Sequence, residues 1–158
     1  MGIKSFQGAR QELKNELKAP ILVSDYMTKK LITFRPDQSI YEVMELFAKH
    51  KISGGPVVND KNELVGIISE ADCMKSISES RYFNMPILDK HVEKYMTSTN
   101  TTTINTIDHD VNIFDAASYF YKANRRRLPV LKNGKLVGQI SRKDIVIAAL
   151  KIQSNNWK

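Results

Sequence analysis

One cysteine, Cys73, in 158 residues excludes an internal disulfide. Its place after Asp72 among apolar neighbours predicts a buried structural thiol, and nothing in this usage points to an oxidising compartment. Long apolar runs are missing as well. The longest, Ile145 to Leu150, is far too short to cross a bilayer, and the first twenty residues hold no stretch like a secretory signal. The expectation is a soluble, cytoplasmic protein without a membrane partner. The seven glycines form neither a GxGxxG fingerprint nor a Walker loop, so dinucleotide-fold and NTPase readings lack support. His50, His91 and His109 are scattered without metal-ligand spacing and are expected to be exposed and structural. With no Cys/His cluster and no nucleophile-elbow serine, neither a metal site, a catalytic cofactor nor a catalytic residue is expected. An enzyme is the least supported class. What the chain has in excess is positive charge, a formal net +7. That attracts anions, nucleotides and nucleic acids alike, but defines no site. Apolar residues make up 42% of the chain, enough at this length to bury a core of ordinary size.

The chain says one thing almost twice. Gly54-Gly55-Pro56-Val57-Val58 leads to Leu64-Val65-Gly66-Ile67-Ile68-Ser69-Glu70-Ala71-Asp72. Later, Arg126-Arg127-Leu128-Pro129-Val130-Leu131 leads to Leu136-Val137-Gly138-Gln139-Ile140-Ser141-Arg142-Lys143-Asp144. A repeat of this length signals a duplicated supersecondary unit. In the first copy, Leu31 to Phe34 is predicted as a strand. Ser39 is predicted to cap a helix with Ile40, Val43, Met44 and Phe47 on one face. Strands at 56–59 and 64–68 flank the turn Asp60-Lys61-Asn62, and Ser69 opens a helix running toward Ile77. The second copy restates this: Tyr95-Met96-Thr97 echoes Tyr26-Met27-Thr28, and Ile113, Ala116, Ala117 and Phe120 repeat the helical stripe. Its Asn133-Gly134 dipeptide suits a tight hairpin turn, and a last helix is predicted from Lys143 to about Gln153. The expected organisation is an N-terminal amphipathic helix within 1–22, repeat 1 at 23–80, a connector at 81–91, repeat 2 at 92–152 and a polar tail at 153–158. The N-terminal helix carries Phe6, Ala9, Leu13 and Leu17 on a stripe that must dock on a core or a second subunit, while its mixed charges disfavour a membrane.

With Met-Thr, the Pro-Val strand, the Leu-Val-Gly strand and SxxD in the same order twice, residues 23 to 150 resemble tandem cystathionine beta-synthase domains, the CBS-domain pair or Bateman module. The resemblance implies an α/β (α+β) fold of two strand-helix-strand-strand-helix repeats about a pseudo-twofold axis, often dimerised. It also implies adenosyl ligands bound between repeats. The expected function is a non-catalytic regulatory module that binds an adenine nucleotide, AMP first and then ATP or ADP. A homodimer is expected, acting in trans on an effector protein.

SxxD by itself makes a helix-capping box. The same geometry presents backbone N–H groups to a phosphate and sets a carboxylate where ribose hydroxyls can donate to it. In the second copy Arg126 and Arg127 precede the Pro-Val strand, and guanidinium forks suit phosphate. Carried over position by position, the family pattern implies a main cleft of Thr28, Lys30, Ile32, Ile52, Arg126, Arg127, Ser141 and Asp144. It implies a weaker second cleft of Ile104, Asn105, Thr106, Arg125, Ser69 and Asp72, in which Ser53 and Gly54 stand where the arginine pair stands in the other copy. Two alternatives compete. One is a nucleic-acid-binding basic protein, which lacks an aromatic stacking motif or recognition helix; the other is a dimerisation module whose SxxD motifs are only caps.

Overall fold

The computed structural model describes residues 21–83, 90–101 and 104–156. In chain order the elements are α1 (Val23–Tyr26), α2 (Ile40–His50), β1 (Gly54–Val58), β2 (Leu64–Ser69), α3 (Glu70–Phe83), α4 (Val92–Tyr95), β3 (Thr97–Ser98), β4 (Ile107–Asp108), α5 (Ile113–Ala123), β5 (Arg127–Lys132), β6 (Lys135–Ser141) and α6 (Arg142–Asn156). They form two three-stranded sheets, β1-β2-β3 and β4-β5-β6. Two compact units result, and neither is one continuous stretch of chain. The Asp72 unit holds Lys30–Thr106 with Leu131–Val137. The Asp144 unit holds the described residues up to Lys29, Ile107–Val130 and those from Gly138 onward. The predicted N-terminal helix at 4–18 lies outside the described residues, as do 84–89 of the connector.

In the Asp72 unit, Ser39 caps α2 as predicted, its hydroxyl accepting from the Glu42 N–H at 3.1 Å. Lys51 ends the helix in the left-handed region at φ 54°. Spacing of i, i+3 and i+7 turns Ile40, Val43 and Phe47 inward. There they meet Phe34, Val57 and Ile68 in the core, and the Phe34 and Phe47 rings pack edge to face at 5.4 Å. β1 and β2 pair antiparallel, Gly55 opposite Ile68 and Pro56 opposite Ile67, and Thr97 adds β3 opposite Ile67. The predicted strand at Leu31 to Phe34 shrinks to one parallel bridge between Phe34 and Val57. Only Phe34 has paired backbone there, its N–H donating to the Pro56 carbonyl and its carbonyl accepting from the Val58 N–H. The turn after β1 is organised from Asn59, whose side-chain oxygen accepts from the N–H groups of Lys61 (3.0 Å) and Glu63 (2.9 Å). Cys73 is buried at 1% exposure. Burial, then the charges of Asp72 and Glu70, push its thiol up to about 11, which keeps it inert.

α3 runs well past Ile77 to Phe83, so the first residues assigned to the connector are helix. A buried lysine anchors the chain just ahead of α4. Lys90, 4% exposed, donates its ammonium to the Ser76 carbonyl at 2.8 Å, lies 3.9 Å from the Glu79 carboxylate and sits 5.7 Å from the Tyr95 ring centroid. Its own carbonyl accepts from the Ile40 N–H at 2.8 Å. The Tyr95 hydroxyl donates to Glu79 at 2.6 Å. Burial, then this hydrogen bond, push the phenol up to about 12, and the same bond holds Glu79 below the usual carboxylate range. A raised phenol favours the folded state fully below its unfolded value of about 10 and loses that contribution as pH climbs through about 12. Stability measured by denaturant titration is therefore expected to fall between those values, and to fall less in Tyr95→Phe. An identical slope in the two proteins would contradict the Tyr95 assignment.

The Asp144 unit repeats the logic. Asn112 caps α5 by accepting from the Asp115 N–H at 2.8 Å. Ile113, Ala116 and Phe120 are buried, whereas Ala117, expected on the same stripe, is exposed, as it lies toward the flank of an i, i+3, i+7 face. Val23, Ile107, Leu128, Val130, Ile140, Ile145, Ala148 and Ile152 are buried with them. Asn133 and Gly134 have φ of 53° and 78°, the paired left-handed residues that a two-residue hairpin turn requires. α6 extends to Asn156, so Ser154 belongs to the helix and not to a tail. His50 and His91 are exposed as expected; His109 is half-buried instead, its carbonyl accepting from the Ser24 N–H at 2.9 Å.

Candidate ligand site

Each unit has a strand-to-helix corner built on SxxD. Where β6 runs into α6, the Ser141 N–H donates to Asp144 Oδ2 at 2.9 Å and the Asp144 N–H donates to Ser141 Oγ at 3.2 Å. Where β2 runs into α3, Asp72 Oδ2 accepts from the Ser69 N–H at 2.8 Å and the Ser69 hydroxyl at 3.0 Å. Both corners are reciprocal capping boxes, so the structural explanation of SxxD holds in full. The cap occupies only one carboxylate oxygen. Among the described residues Oδ1 of each aspartate takes no hydrogen bond, and both side chains are half-buried. A carboxylate oxygen at a capped corner is an acceptor for a neighbouring pair of hydroxyls.

The backbone gathers further groups of the Asp144 unit at its corner. Arg142, the first residue of α6, gives its N–H to the Arg126 carbonyl at 3.0 Å, which holds the start of β5 beside the helix start. Thr28 and Gln139 exchange both backbone hydrogen bonds, at 2.8 and 3.0 Å, an isolated bridge that sets Thr28 opposite the residue two positions before Ser141. Thr28, Arg126 and Arg127 are exposed, and Ser141 and Asp144 are half-buried. Two arginines, a threonine and a carboxylate oxygen are thus brought by the backbone to one corner, where the Arg142 and Asp144 N–H groups are already taken by the Arg126 carbonyl and Ser141 Oγ. These groups can bind a phosphorylated sugar alcohol.

The remaining residues of the expected main set belong to the Asp72 unit. Lys30 is exposed, and Ile32 and Ile52 are half-buried against that unit's core. Of the expected second set, Ser69, Asp72, Ile104, Asn105 and Thr106 belong to the Asp72 unit, the last three half-buried in irregular backbone. Arg125 is exposed and belongs to the Asp144 unit. In the Asp72 unit the Glu70 N–H bonds the Ser53 carbonyl at 2.9 Å, in the same relation as Arg142 to Arg126 but with a hydroxymethyl group in place of a guanidinium. Thr97, opposite Ile67, is the counterpart of Thr28. Sequence reasoning left it out of the second set although the Met-Thr echo pointed to it. Among the described residues no three His, Cys, Asp or Glu side chains gather to hold a metal ion, and no helix is long and apolar enough to cross a membrane.

The CBS domain family model matches residues 23–79 and again 92–151. CBS domain-containing protein CBSX1, chloroplastic, of Arabidopsis thaliana is 34% identical over 83% of this chain, which spans 65% of that protein. The crystal structure of CBSX2, also from Arabidopsis thaliana, in complex with AMP matches at a TM-score of 0.68 and 31% identity, over 85% of this chain and 99% of that one. The CBS domain pair of protein MJ0100, solved with 5'-methylthioadenosine and S-adenosyl-L-methionine, matches at 0.63 and 28% identity, over 84% and 98%. With the domain matched twice and both copies built around the same capped SxxD corner, the chain belongs to the CBS-domain family as a CBS-domain pair.

Proposed function

We propose that this CBS-domain pair is a non-catalytic regulatory module whose ligand is an adenosine nucleotide, AMP first and ATP or ADP after it. The observation that carries this reading is the Asp144 corner, where a carboxylate oxygen is left uncommitted at a helix start whose first N–H, that of Arg142, bonds the backbone carbonyl of Arg126, next to Arg127. Asp144 accepts from the ribose hydroxyls, and the arginine pair, with the Ser141 hydroxyl and Thr28, holds the phosphate. Lys30, Ile32 and Ile52 enter the ligand set from the family pattern and are to be tested singly. The Asp72 corner, with Ser53 and Gly54 in place of the arginines, takes phosphate weakly and suits an uncharged adenosyl ligand; Ile104, Asn105, Thr106 and Arg125 complete its set. That CBSX2 was solved with AMP and the MJ0100 pair with adenosyl sulfur compounds supports an adenosine-type ligand. In this reading the module works as a homodimer in the cytoplasm and signals to an effector protein in trans.

Calorimetric titration of nucleotide-stripped protein with AMP, then ATP, then S-adenosylmethionine at one salt concentration tests the reading. Saturable AMP binding near one molecule per chain is expected, with S-adenosylmethionine weaker. Saturation by S-adenosylmethionine alone would replace the nucleotide with an adenosyl sulfur compound. No binding of any of the three would leave SxxD as a cap in an assembly module. Affinity for nucleic acid that fell steeply with salt and ignored Asp144 would favour the basic-protein alternative.

A further inference from the structure

The two units build the same helix pair, α2 with α3 and α5 with α6, but line its seam differently. Counted from the helix starts, Ala117 of α5 stands where α2 has Met44, Asn124 where it ends in Lys51, and Arg142 of α6 where α3 has Glu70. Met44 packs against the core of the Asp72 unit. Ala117 has only a methyl group to offer. Beside it a groove of about 440 Å³ opens between α5 and α6, lined by Ala117, Phe120, Tyr121, Asn124, Arg142 and Ile145, a volume in the range of small-molecule sites. Phe120 and Ile145 give it a buried apolar wall, and the Tyr121 ring is 90% exposed. The charges differ as well. Lys51 and Glu70 bring opposite signs to the Asp72 unit, whereas Arg142 is the one charged residue lining the groove. Among the described residues its guanidinium has no carboxylate partner, and no hydrogen bond engages the Asn124 side chain or the Tyr121 hydroxyl.

We propose that the α5–α6 groove binds a small aromatic carboxylate. Its ring system takes the space that a methionine would fill, against Phe120, Tyr121 and Ile145. Its carboxylate pairs with the Arg142 guanidinium, whose planar fork suits two oxygens, and accepts from the Asn124 amide. An aromatic body is favoured over an aliphatic chain because Phe120 and Tyr121 are themselves rings, which stack or meet another ring edge to face. A single unpaired cation in an otherwise uncharged lining calls for a single negative charge. None of these residues belongs to either nucleotide set, so the site stands or falls apart from that reading.

Equilibrium dialysis of the full-length chain with 2-naphthoate, and with its neutral counterpart 2-naphthamide, tests the site. Saturable uptake near one naphthoate per chain is expected, with the amide bound about threefold to tenfold more weakly, as suits a guanidinium–carboxylate pair open to solvent. Arg142→Gln should lower naphthoate affinity by a similar factor and leave the amide as it was, a split that general loss of structure would not produce. Ala117→Met inserts the side chain that the other copy carries and should abolish uptake of both probes while the thermal melt stays at the parent value. Ala117→Ser keeps the space and should bind like the parent. Equal affinity for acid and amide would remove the anion from the groove. Uptake that survived Ala117→Met, or naphthoate displaced by AMP, would place the probe elsewhere and overturn the proposal. Absence of uptake would overturn it too, including the case in which a second copy covers the groove, seen by light scattering as a dimer that Ala117→Met turns monomeric.

Discussion

Asp144→Asn is expected to weaken AMP binding by roughly tenfold to a hundredfold while leaving the unfolding midpoint almost unchanged. The two halves of that expectation come from the two oxygens of one carboxylate. Oδ2 accepts from the Ser141 N–H at 2.9 Å, a role an asparagine side-chain oxygen can fill, so the cap persists. Oδ1 is the proposed ribose acceptor, and an amide NH2 in its place neither accepts nor carries charge. Hydrogen bonds to a charged partner are worth about 1.5–3 kcal/mol each, which corresponds to that loss of affinity. Asp144→Ala should add a stability loss of about 1 kcal/mol, because the capping box then loses its acid. Comparing the variants separates a ligand group from a helix cap. Asp72→Asn serves as the reference: the Asp72 corner lacks the arginine pair, so its loss should leave the tighter AMP event intact. Calorimetry and thermal melts on the same preparations decide it. Parent-like affinity in both Asp144 variants would remove the ribose from this corner and leave SxxD as a cap in both copies.

Elements whose signal is local were legible in the sequence. Ser39 three residues ahead of Glu42, Asn133-Gly134 between two apolar runs, and stripes at i, i+3 and i+7 each encode their own hydrogen bond or buried face. SxxD was equally legible as geometry, because cap and acid lie within one helical turn. What escaped depended on residues far apart in the chain. Leu31 to Phe34 is apolar enough for a strand, yet only Phe34 finds a partner in β1. Lys90 is one charged residue in a connector whose apolar content predicts packing, and its own burial comes from Ser76, Glu79 and Tyr95 closing around it. Ala117 shows the limit of periodicity: a small residue at i+4 fits either side of a helix boundary, and neighbouring packing decides. The sequence placed Thr28, Arg126 and Asp144 in one set through family likeness. The backbone gives a physical reason for that set, the pairing of Thr28 with Gln139 and of Arg142 with Arg126.

The recurrence of Met-Thr with Leu-Val-Gly also has a mechanical origin, and Gly138→Ala is expected to expose it by lowering stability by about 1–3 kcal/mol, the range for overpacking. A Cβ on Gly138 would lie 2.6 Å from Met27 Sδ and 2.9 Å from the Thr28 carbonyl oxygen. The thioether can swing aside. The carbonyl cannot, because it accepts from the Gln139 N–H at 3.0 Å and a shift would open the bridge that seats Thr28. Gly66 repeats the arrangement in the other copy, 2.6 Å from Met96 Sδ and 2.8 Å from the Thr97 carbonyl oxygen, so Gly66→Ala should cost a similar amount. Gly134 is the control. A Cβ there would meet nothing within 4 Å, but its φ of 78° is left-handed, so Gly134→Ala should cost about 1 kcal/mol through backbone conformation alone. Valine enlarges the clash at Gly138, and Gly138→Val should fall furthest, with a midpoint lowered by more than about 4 °C if each kcal/mol moves it about 2–4 °C. Thermal melts of the four variants order them. A Gly138→Ala protein as stable as the parent would mean that Met27 and Thr28 give way without cost, and the paired motifs would then need another cause. If the loss is found, it should carry over to ligand binding in Gly138 variants and not in Gly134→Ala, because only Gly138 lies beneath the Met27–Thr28 segment beside the Asp144 corner.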